Sequence, residues 1–347
     1  MIPRALSLPG LLSLPGLLAA LRLLLVLGAV LGETGVLGGA GVPGSLGVLR
    51  AQDVPSAPAE PVSGDAVIRA PAGGSEIVVT TTRRLAGAIH SLTWNGREFI
   101  DSTDHGRQLQ SASNLDFEGP MISETFNPTE AGSVSDGSGP VSSSRLLHLR
   151  VEPGALQSTI QMAFWLRPDG KSLGNPARNR TVLSDHLLTK RVRIGYRDLP
   201  HVLCYDVTFG LPVGEHHKVA QFEALTGYMP AEFSRFEVFN AGTGLLEPLT
   251  DGPGEQRHPV VFSVPEGTHA MGVYAPPQPA PDTQGPSYGR FRFEREKVVK
   301  WNCVFRRKNP EGITPADFSF RLFTVVGDRE TVSESLRVLH REFEARP

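Results

Sequence analysis

Between residues 66 and 326 the chain is a succession of short β-prone strings broken by turn residues, with no sustained 3.6-residue apolar period. The strings include Glu76 to Thr82, Gly87 to Trp94, Arg145 to Val151, Leu156 to Leu166, His186 to Tyr196, Val202 to Leu211, Val219 to Leu225, Pro259 to Val264, Ala270 to Tyr274, Val298 to Arg306 and Phe318 to Val326. They are rich in Val, Ile, Thr, Phe and Tyr, which suit a pleated, half-buried surface. Asn95-Gly96 is a hairpin signal, because both residues tolerate the positive φ of a tight turn, and Asp169-Gly170 is a second. One helix is signalled at the end, where Thr331 and Glu334 form a capping box and Leu336, Leu339 and Phe343 recur at helical spacing. Strands without alternating helices predict an all-β fold, a large antiparallel two-sheet sandwich closed by a short C-terminal helix. A chain of 347 residues with this many strands exceeds an immunoglobulin-like domain, and it lacks the fixed-period repeat of a propeller or solenoid.

Three segments are expected. Residues 1–51 read as an export segment, with Arg4 and Arg22 as positive flanks, an apolar run from Leu23 to Leu31, and a cleavage position after Ala51. A retained membrane anchor is the alternative, although the run is short and glycine-rich for a spanning helix. Residues 52–65, rich in Pro, Ala, Ser and Gly, read as a linker, and residues 66–347 as the folded domain. The protein is thus expected to be exported, to a periplasm or the outside, with no further span. The formal net charge of -2, without a Lys/Arg run, argues against nucleic acid as a partner. Cys204 and Cys303 fit either a disulfide or two separate buried thiols.

Familiar chemical motifs are lacking. Gly39-Ala40-Gly41-Val42-Pro43-Gly44 matches a dinucleotide fingerprint in letters only, since it falls in the export segment and contains a proline. There is no phosphate loop, zinc-protease helix or nucleophile elbow, so no cofactor and no metal site is expected. His216 and His217, as neighbours on an extended chain, point to opposite faces and do not share an ion. Asn179-Arg180-Thr181 is a formal glycosylation acceptor.

The region from Asp101 to Gly132 carries the densest set of polar candidates, in Asp104-His105-Gly106-Arg107-Gln108-Leu109-Gln110 and Phe126-Asn127-Pro128-Thr129-Glu130. Amides and a guanidinium at fixed spacing provide the directional donors and acceptors that sugar hydroxyls and carboxylates need. Catalytic candidates are His105 beside Asp104, Glu130 as a general base, and Arg107 for an anionic group. Gln108, Gln110 and Asn127 are the substrate-binding candidates, joined by Tyr228 and by Tyr288 in what reads as a Gly/Pro-rich loop. Trp94, Trp165 and Trp301 lie in strand-like strings, where core packing is the plainer reading. Two long loops, Asn114 to Ser144 and Pro276 to Ser287, are expected.

The string Gly87-Ala88-Ile89-His90-Ser91-Leu92-Thr93-Trp94-Asn95-Gly96-Arg97-Glu98-Phe99-Ile100 resembles the opening hairpin of galactose mutarotase-like proteins. Leu187 to Ile194 and Leu203 to Phe209 are similar to the paired central strands of the same supersandwich. The resemblance implies a concave sugar-facing surface. The superfamily includes aldose epimerases, polysaccharide lyases, glycoside hydrolase domains and non-catalytic modules. Arg107 falls where epimerases carry an early sugar-contacting arginine, but no motif here matches their catalytic histidine or glutamate. The expectation is therefore a carbohydrate-active protein working by acid/base chemistry, as a hydrolase, lyase or epimerase. The alternative is a non-catalytic carbohydrate- or surface-binding module. The enzyme reading requires His105, Arg107 and Glu130 to converge on one pocket. Oligomeric state is left open.

Overall fold

The computed structural model describes residues 62–277 and 282–344, within the unit Ala59–Pro347. The expected export segment and most of the expected linker lie outside the described residues. In chain order the first strands are β1 (Ala66–Ala72), β2 (Ser75–Thr82), β3 (Ala88–Trp94), β4 (Arg97–Glu98), β5 (Leu109–Leu115), β6 (Pro128–Thr129) and β7 (Arg145–Glu152). There follow β8 (Ala155–Phe164), β9 (Lys171–Ser172), β10 (Asn175–Pro176), β11 (Leu183–Tyr196), β12 (Leu199–Gly210), β13 (His217–Pro230) and β14 (Arg235–Asn240). The last are β15 (Leu245–Pro248), β16 (Gly254–Gln256), β17 (Val260–Ser263), β18 (Ala270–Tyr274), β19 (Thr283–Phe293), β20 (Val298–Ile313) and β21 (Asp317–Gly327), before the helix α1 (Arg329–Glu344).

Among the described residues all strand pairs are antiparallel, and 19 of the strands form one hydrogen-bonded network folded into two layers. One layer runs β1-β2-β3-β5-β13-β20-β19-β16. The other runs β7-β8-β11-β12-β21-β18-β17-β14-β15. The two-residue β6 bridges them by pairing with both β5 and β8. The similar central strings found in sequence are neighbours, with Ile194 opposite Leu203 and Leu187 opposite Gly210.

Alternation along the strands builds the core. On β12 the side chains of Leu203, Tyr205, Val207 and Phe209 turn inward, while Cys204, Asp206 and Thr208 are less buried. Phe209 meets Phe222 of the opposite layer at 5.0 Å between ring centres, Phe222 meets Phe318 at 5.3 Å, and Phe305 stacks on Phe320 at 4.4 Å. Burying each such ring stabilises the fold by about 1.5–3 kcal/mol, so this aromatic seam is a large part of what holds the two layers together.

Helix α1 covers the outer face of the second layer. Val332, Leu336 and Leu339 pack with Val202, Val261, Tyr274, Phe323 and Val325. The helix starts earlier than its sequence signal. Asp328, not Thr331, is the N-terminal cap, its Oδ1 accepting the Thr331 amide at 2.8 Å.

Local differences from the sequence expectation have simple causes. Asn95 and Gly96 take φ of 48° and 74° and close β3 onto β4, as a tight hairpin requires. Asp169-Gly170 forms only a turn, with the Gly170 amide donating to the Arg167 carbonyl at 2.8 Å. The hairpin nearby is made by Leu173 and Gly174 between β9 and β10. The second expected loop is shortened because β19 already begins at Thr283. Cys204 and Cys303 are both free thiols. Among the described residues no helix is long and apolar enough to cross a membrane.

Candidate functional site

The face of the first layer turned away from the core carries a groove of about 350 Å³. Its floor comes from three adjacent strands. On β5, alternation turns Gln110, Ala112 and Asn114 to the groove, while Leu109 and Leu115 enter the core. On β20 the same rule sends Lys300 and Asn302 outward and Trp301, Cys303 and Phe305 inward. On β13 a register shift between Glu223 and Leu225 keeps Gln221, Glu223, Thr226 and Tyr228 all on the groove side. The walls are Trp165, Phe291, Glu255 and the segment carrying Glu124 and Asn127.

The floor is electrostatically organised. Lys300 Nζ lies 3.2 Å from Glu223 Oε2, and Thr226 Oγ1 donates to the same oxygen at 3.0 Å. Burial alone would raise the Glu223 carboxyl, but Lys300, Asn302 and Thr226 together hold it below the usual carboxylate range. Lys300 also sits over two rings, 5.2 Å from the centre of Tyr228 and 5.4 Å from that of Phe291. Burial works to lower the Lys300 ammonium, yet Glu223 and Tyr228 keep it well above its ordinary value. The Tyr228 phenol is raised, chiefly by burial; the Lys300 ammonium works to lower it, while the Glu223 carboxylate and, least of all, that of Glu124 add to the rise. Asn302 Oδ1 accepts the Gly289 amide at 3.0 Å, a contact open only because residue 289 lacks a Cβ, which would stand 2.3 Å from that oxygen. Arg306 clamps Glu255 with two nitrogens at 2.8 and 2.7 Å and reaches Gln221 at 2.8 Å.

Glu124 differs from the other carboxylates here. No ion pair engages it among the described residues; its Oε2 accepts the Ser172 hydroxyl at 2.5 Å and its amide donates to Asn114 at 2.9 Å. Its φ of 68° is left-handed, a conformation a glutamate adopts only where its surroundings enforce it.

The sequence candidates divide. Gln110, Asn127 and Tyr228 line the groove, and Tyr228 does so from a strand and not a loop. Gln110 Nε2 donates to the Gly106 carbonyl at 2.8 Å, leaving a buried Oε1 without a partner. Gln108 is fully buried beneath, its Nε2 against the Asp104 carbonyl. Tyr288 is a correction: it lies on β19 with its ring in the core, and its hydroxyl accepts the Ala275 amide at 2.9 Å.

His105, Arg107 and Glu130 do not converge. His105 is buried, its ring nitrogens 2.7 Å from the Gly137 carbonyl and 2.8 Å from the Arg84 carbonyl, so it ties two loops together. Arg107 pairs with Asp104 at 2.9 Å and stands 3.9 Å from Asp101. Glu130 lies in the core, paired with the equally buried Lys190 and accepting the Ser111 amide at 2.9 Å. Asn179, the formal glycosylation acceptor, donates from Nδ2 to the Leu166 and Thr181 carbonyls and is 4% exposed, so its nitrogen is engaged in the fold.

Sequence reasoning missed Glu124, Glu223, Lys300 and Asn302. The signal for the last two was the alternation of Lys300 and Asn302 with Trp301 and Cys303 in a strand already recognised. Trp165, expected in the core, is half-buried on the groove wall, and a Cβ at Gly106 would come within 2.6 Å of its ring.

No family model matches the chain, and no curated protein is similar to it in sequence. Solved structures are similar in fold at low scores. One is an alpha-galactosidase from Lactobacillus brevis, at TM-score 0.40 and 9% identity, over 76% of this chain and 40% of that one. The Slr1438 protein from Synechocystis sp. PCC 6803 matches at TM-score 0.40 and 9% identity, over 76% of this chain and 96% of its own. The heparan sulfate lyase HepC from Pedobacter heparinus matches at TM-score 0.37 and 10% identity, over 77% of this chain and 35% of its own. This chain thus spans about two fifths of the galactosidase and about a third of the lyase.

Proposed function

We propose that the chain is a carbohydrate-active protein and that the groove over β5, β13 and β20 is where the sugar binds. The observation that supports this is the composition of one hollow. Gln110, Asn114, Asn127, Gln221 and Asn302 supply amides, Glu223 and Lys300 a fixed charge pair, and Trp165 and Phe291 flat apolar walls. Hydroxyl-rich rings need this mixture of two-way hydrogen bonding and stacking. The volume falls within the range of small-molecule sites.

Glu124 and Tyr228 are the acid/base pair in this reading. Glu223 already accepts from several donors and is held ionised, so it positions the ammonium of Lys300. Tyr228, raised above its ordinary value, keeps its proton at neutral pH and can deliver it. Glu124, without an ion-pair partner, is placed to receive one. The product identifies the reaction as hydrolysis, elimination or epimerisation. The N-terminal pattern of Arg4, Arg22 and the following apolar run supports export as part of the same reading.

The test is a panel of oligo- and polysaccharides offered to the purified chain, read for both binding and product. Binding with turnover, lost on Glu124→Gln, supports the enzyme. Binding without product assigns the groove to a recognition module, for which Trp165 and Phe291 at the wall are the favouring observation. No binding to any saccharide would remove the sugar reading.

A further inference from the structure

A second cluster of chemical groups lies outside the groove, where β11 of one layer approaches the start of β13 in the other. His186 projects from β11, Glu215 from the turn before β13, and His217 is the first residue of β13. The Nε2 atoms of both imidazoles stand 2.8 Å from one and the same carboxylate oxygen, Glu215 Oε2. One donor atom from each residue falls within 4.8 Å of the other two. The histidine side chains are 2% and 1% exposed, whereas that of Glu215 is 20% exposed and opens to solvent. Phe126 walls the cluster, its ring centre 6.1 Å from His186 and 5.7 Å from His217.

The hydrogen-bond pattern around His217 calls for a positive charge, supplied either by a second ring proton or by a bound cation. Its Nδ1 lies against the backbone carbonyl of Asp116. A carbonyl only accepts, so Nδ1 carries the hydrogen. In a neutral ring Nε2 then presents a bare lone pair, and that lone pair faces a carboxylate oxygen that is itself an acceptor. His186 Nε2 aims at the same oxygen. Two imidazole nitrogens and a carboxylate oxygen converging in a half-dry pocket are a donor set for a zinc-class divalent ion. An Nδ1–H held by a carbonyl is the outer support that fixes a ligating histidine. Asp116 is itself held, its Oδ1 accepting the Lys218 and Val219 amides at 2.9 and 2.8 Å.

We propose that His186, Glu215 and His217 form a three-ligand site for a divalent transition-metal ion, which ties the two layers of the sandwich together. Water on the exposed Glu215 side completes the coordination. Ligands about 2.0–2.2 Å from a tetrahedral ion stand about 3.3–3.6 Å apart. The Glu215 oxygen, 2.8 Å from each ring nitrogen, must therefore back away by about half an ångström, and the two ring nitrogens must settle at a similar separation from each other. The same strand continues into Gln221, Glu223, Thr226 and Tyr228, so an ion here anchors the start of the groove floor. His216, exposed on the opposite face of the chain, takes no part.

The test uses the purified chain, stripped with a chelator and then loaded with Zn²⁺ or Co²⁺. The expected results are about one ion per chain by elemental analysis, visible absorption bands of tetrahedral Co²⁺, and a melting temperature raised by several degrees that chelator reverses. His186→Gln and His217→Gln should each abolish the bands and the stabilisation. Stripped and loaded protein with the same melting temperature and no bound ion would overturn the proposal, and so would stoichiometric binding that survives both substitutions. The wild-type spectrum decides the matter even if a variant fails to fold. None of these readouts involves saccharide, so their outcome is separate from that of the groove.

Discussion

Tyr228 and Lys300 occupy directly opposed positions on β13 and β20, and the Lys300 ammonium lies 5.2 Å from the centre of the Tyr228 ring. The same ammonium is 3.2 Å from Glu223, so one cation on β20 organises both an aromatic ring and a carboxylate of the neighbouring strand β13. Cross-strand geometry thereby fixes the charges of the groove floor before any ligand arrives.

Removing one member of that pair should be costly. Lys300→Met leaves Glu223 charged, with a side chain only 15% exposed and its ammonium gone. Urea unfolding should show a loss of roughly 1–3 kcal/mol, less than the ~3–5 kcal/mol of a fully buried pair because some water remains. Adding Glu223→Gln should recover part of the loss, a non-additivity that a double-mutant cycle measures.

The Glu223 carboxyl is held below its ordinary value in the fold, so its contribution to stability has a defined pH sense. It should be fully present above the unfolded-chain value of about 4.3 and fade as pH falls through the lower folded value. The stability gap between wild type and Glu223→Gln should therefore stay level from neutral pH down to about pH 5 and narrow below about 4.3. A gap that widened on acidification would contradict the assignment.

The core pair Glu130–Lys190 should behave as structure. Both side chains are fully buried, so Glu130→Met or Lys190→Met alone should cost about 3–5 kcal/mol, while the double replacement should cost far less. Thermal or urea unfolding of the three variants checks this. Saccharide binding by the folded double variant should match wild type.

Much of the fold was legible because alternation and turn chemistry are local. The strings around β12, β20 and β21 and the Asn95-Gly96 hairpin needed no tertiary information. The site was only partly legible. Gln110, Asn127 and Tyr228 reach the groove, but His105 and Glu130 have the same residue types as catalytic groups and are drawn inward by partners distant in sequence, Arg84 and Lys190. Nothing local marks a glutamate as paired. The register shift on β13 that keeps Glu223 and Tyr228 on one face is also set by pairing with β20, and β20 itself lies far along the chain. The convergence of His186 with His217 is hidden for the same reason.

Glu124 separates chemistry from stability. Glu124→Gln should lower turnover by about 10²–10⁴-fold, the usual range for a lost acid or base, while unfolding changes by no more than about 0.5 kcal/mol. Because residue 124 has a φ of 68°, Glu124→Gly should be no less stable than the parent and equally inactive. Initial rates and melting curves on the same preparations make the comparison.

Hydrogen–deuterium exchange with and without the best-binding saccharide bears most directly on where the sugar sits. Backbone amides in residues 109–115, 217–230 and 298–306 should exchange more slowly in its presence, with little change along β7 and β8 on the other layer. Protection confined to the second layer or to helix α1, with those three segments unchanged, would place the ligand elsewhere and end the case for the groove.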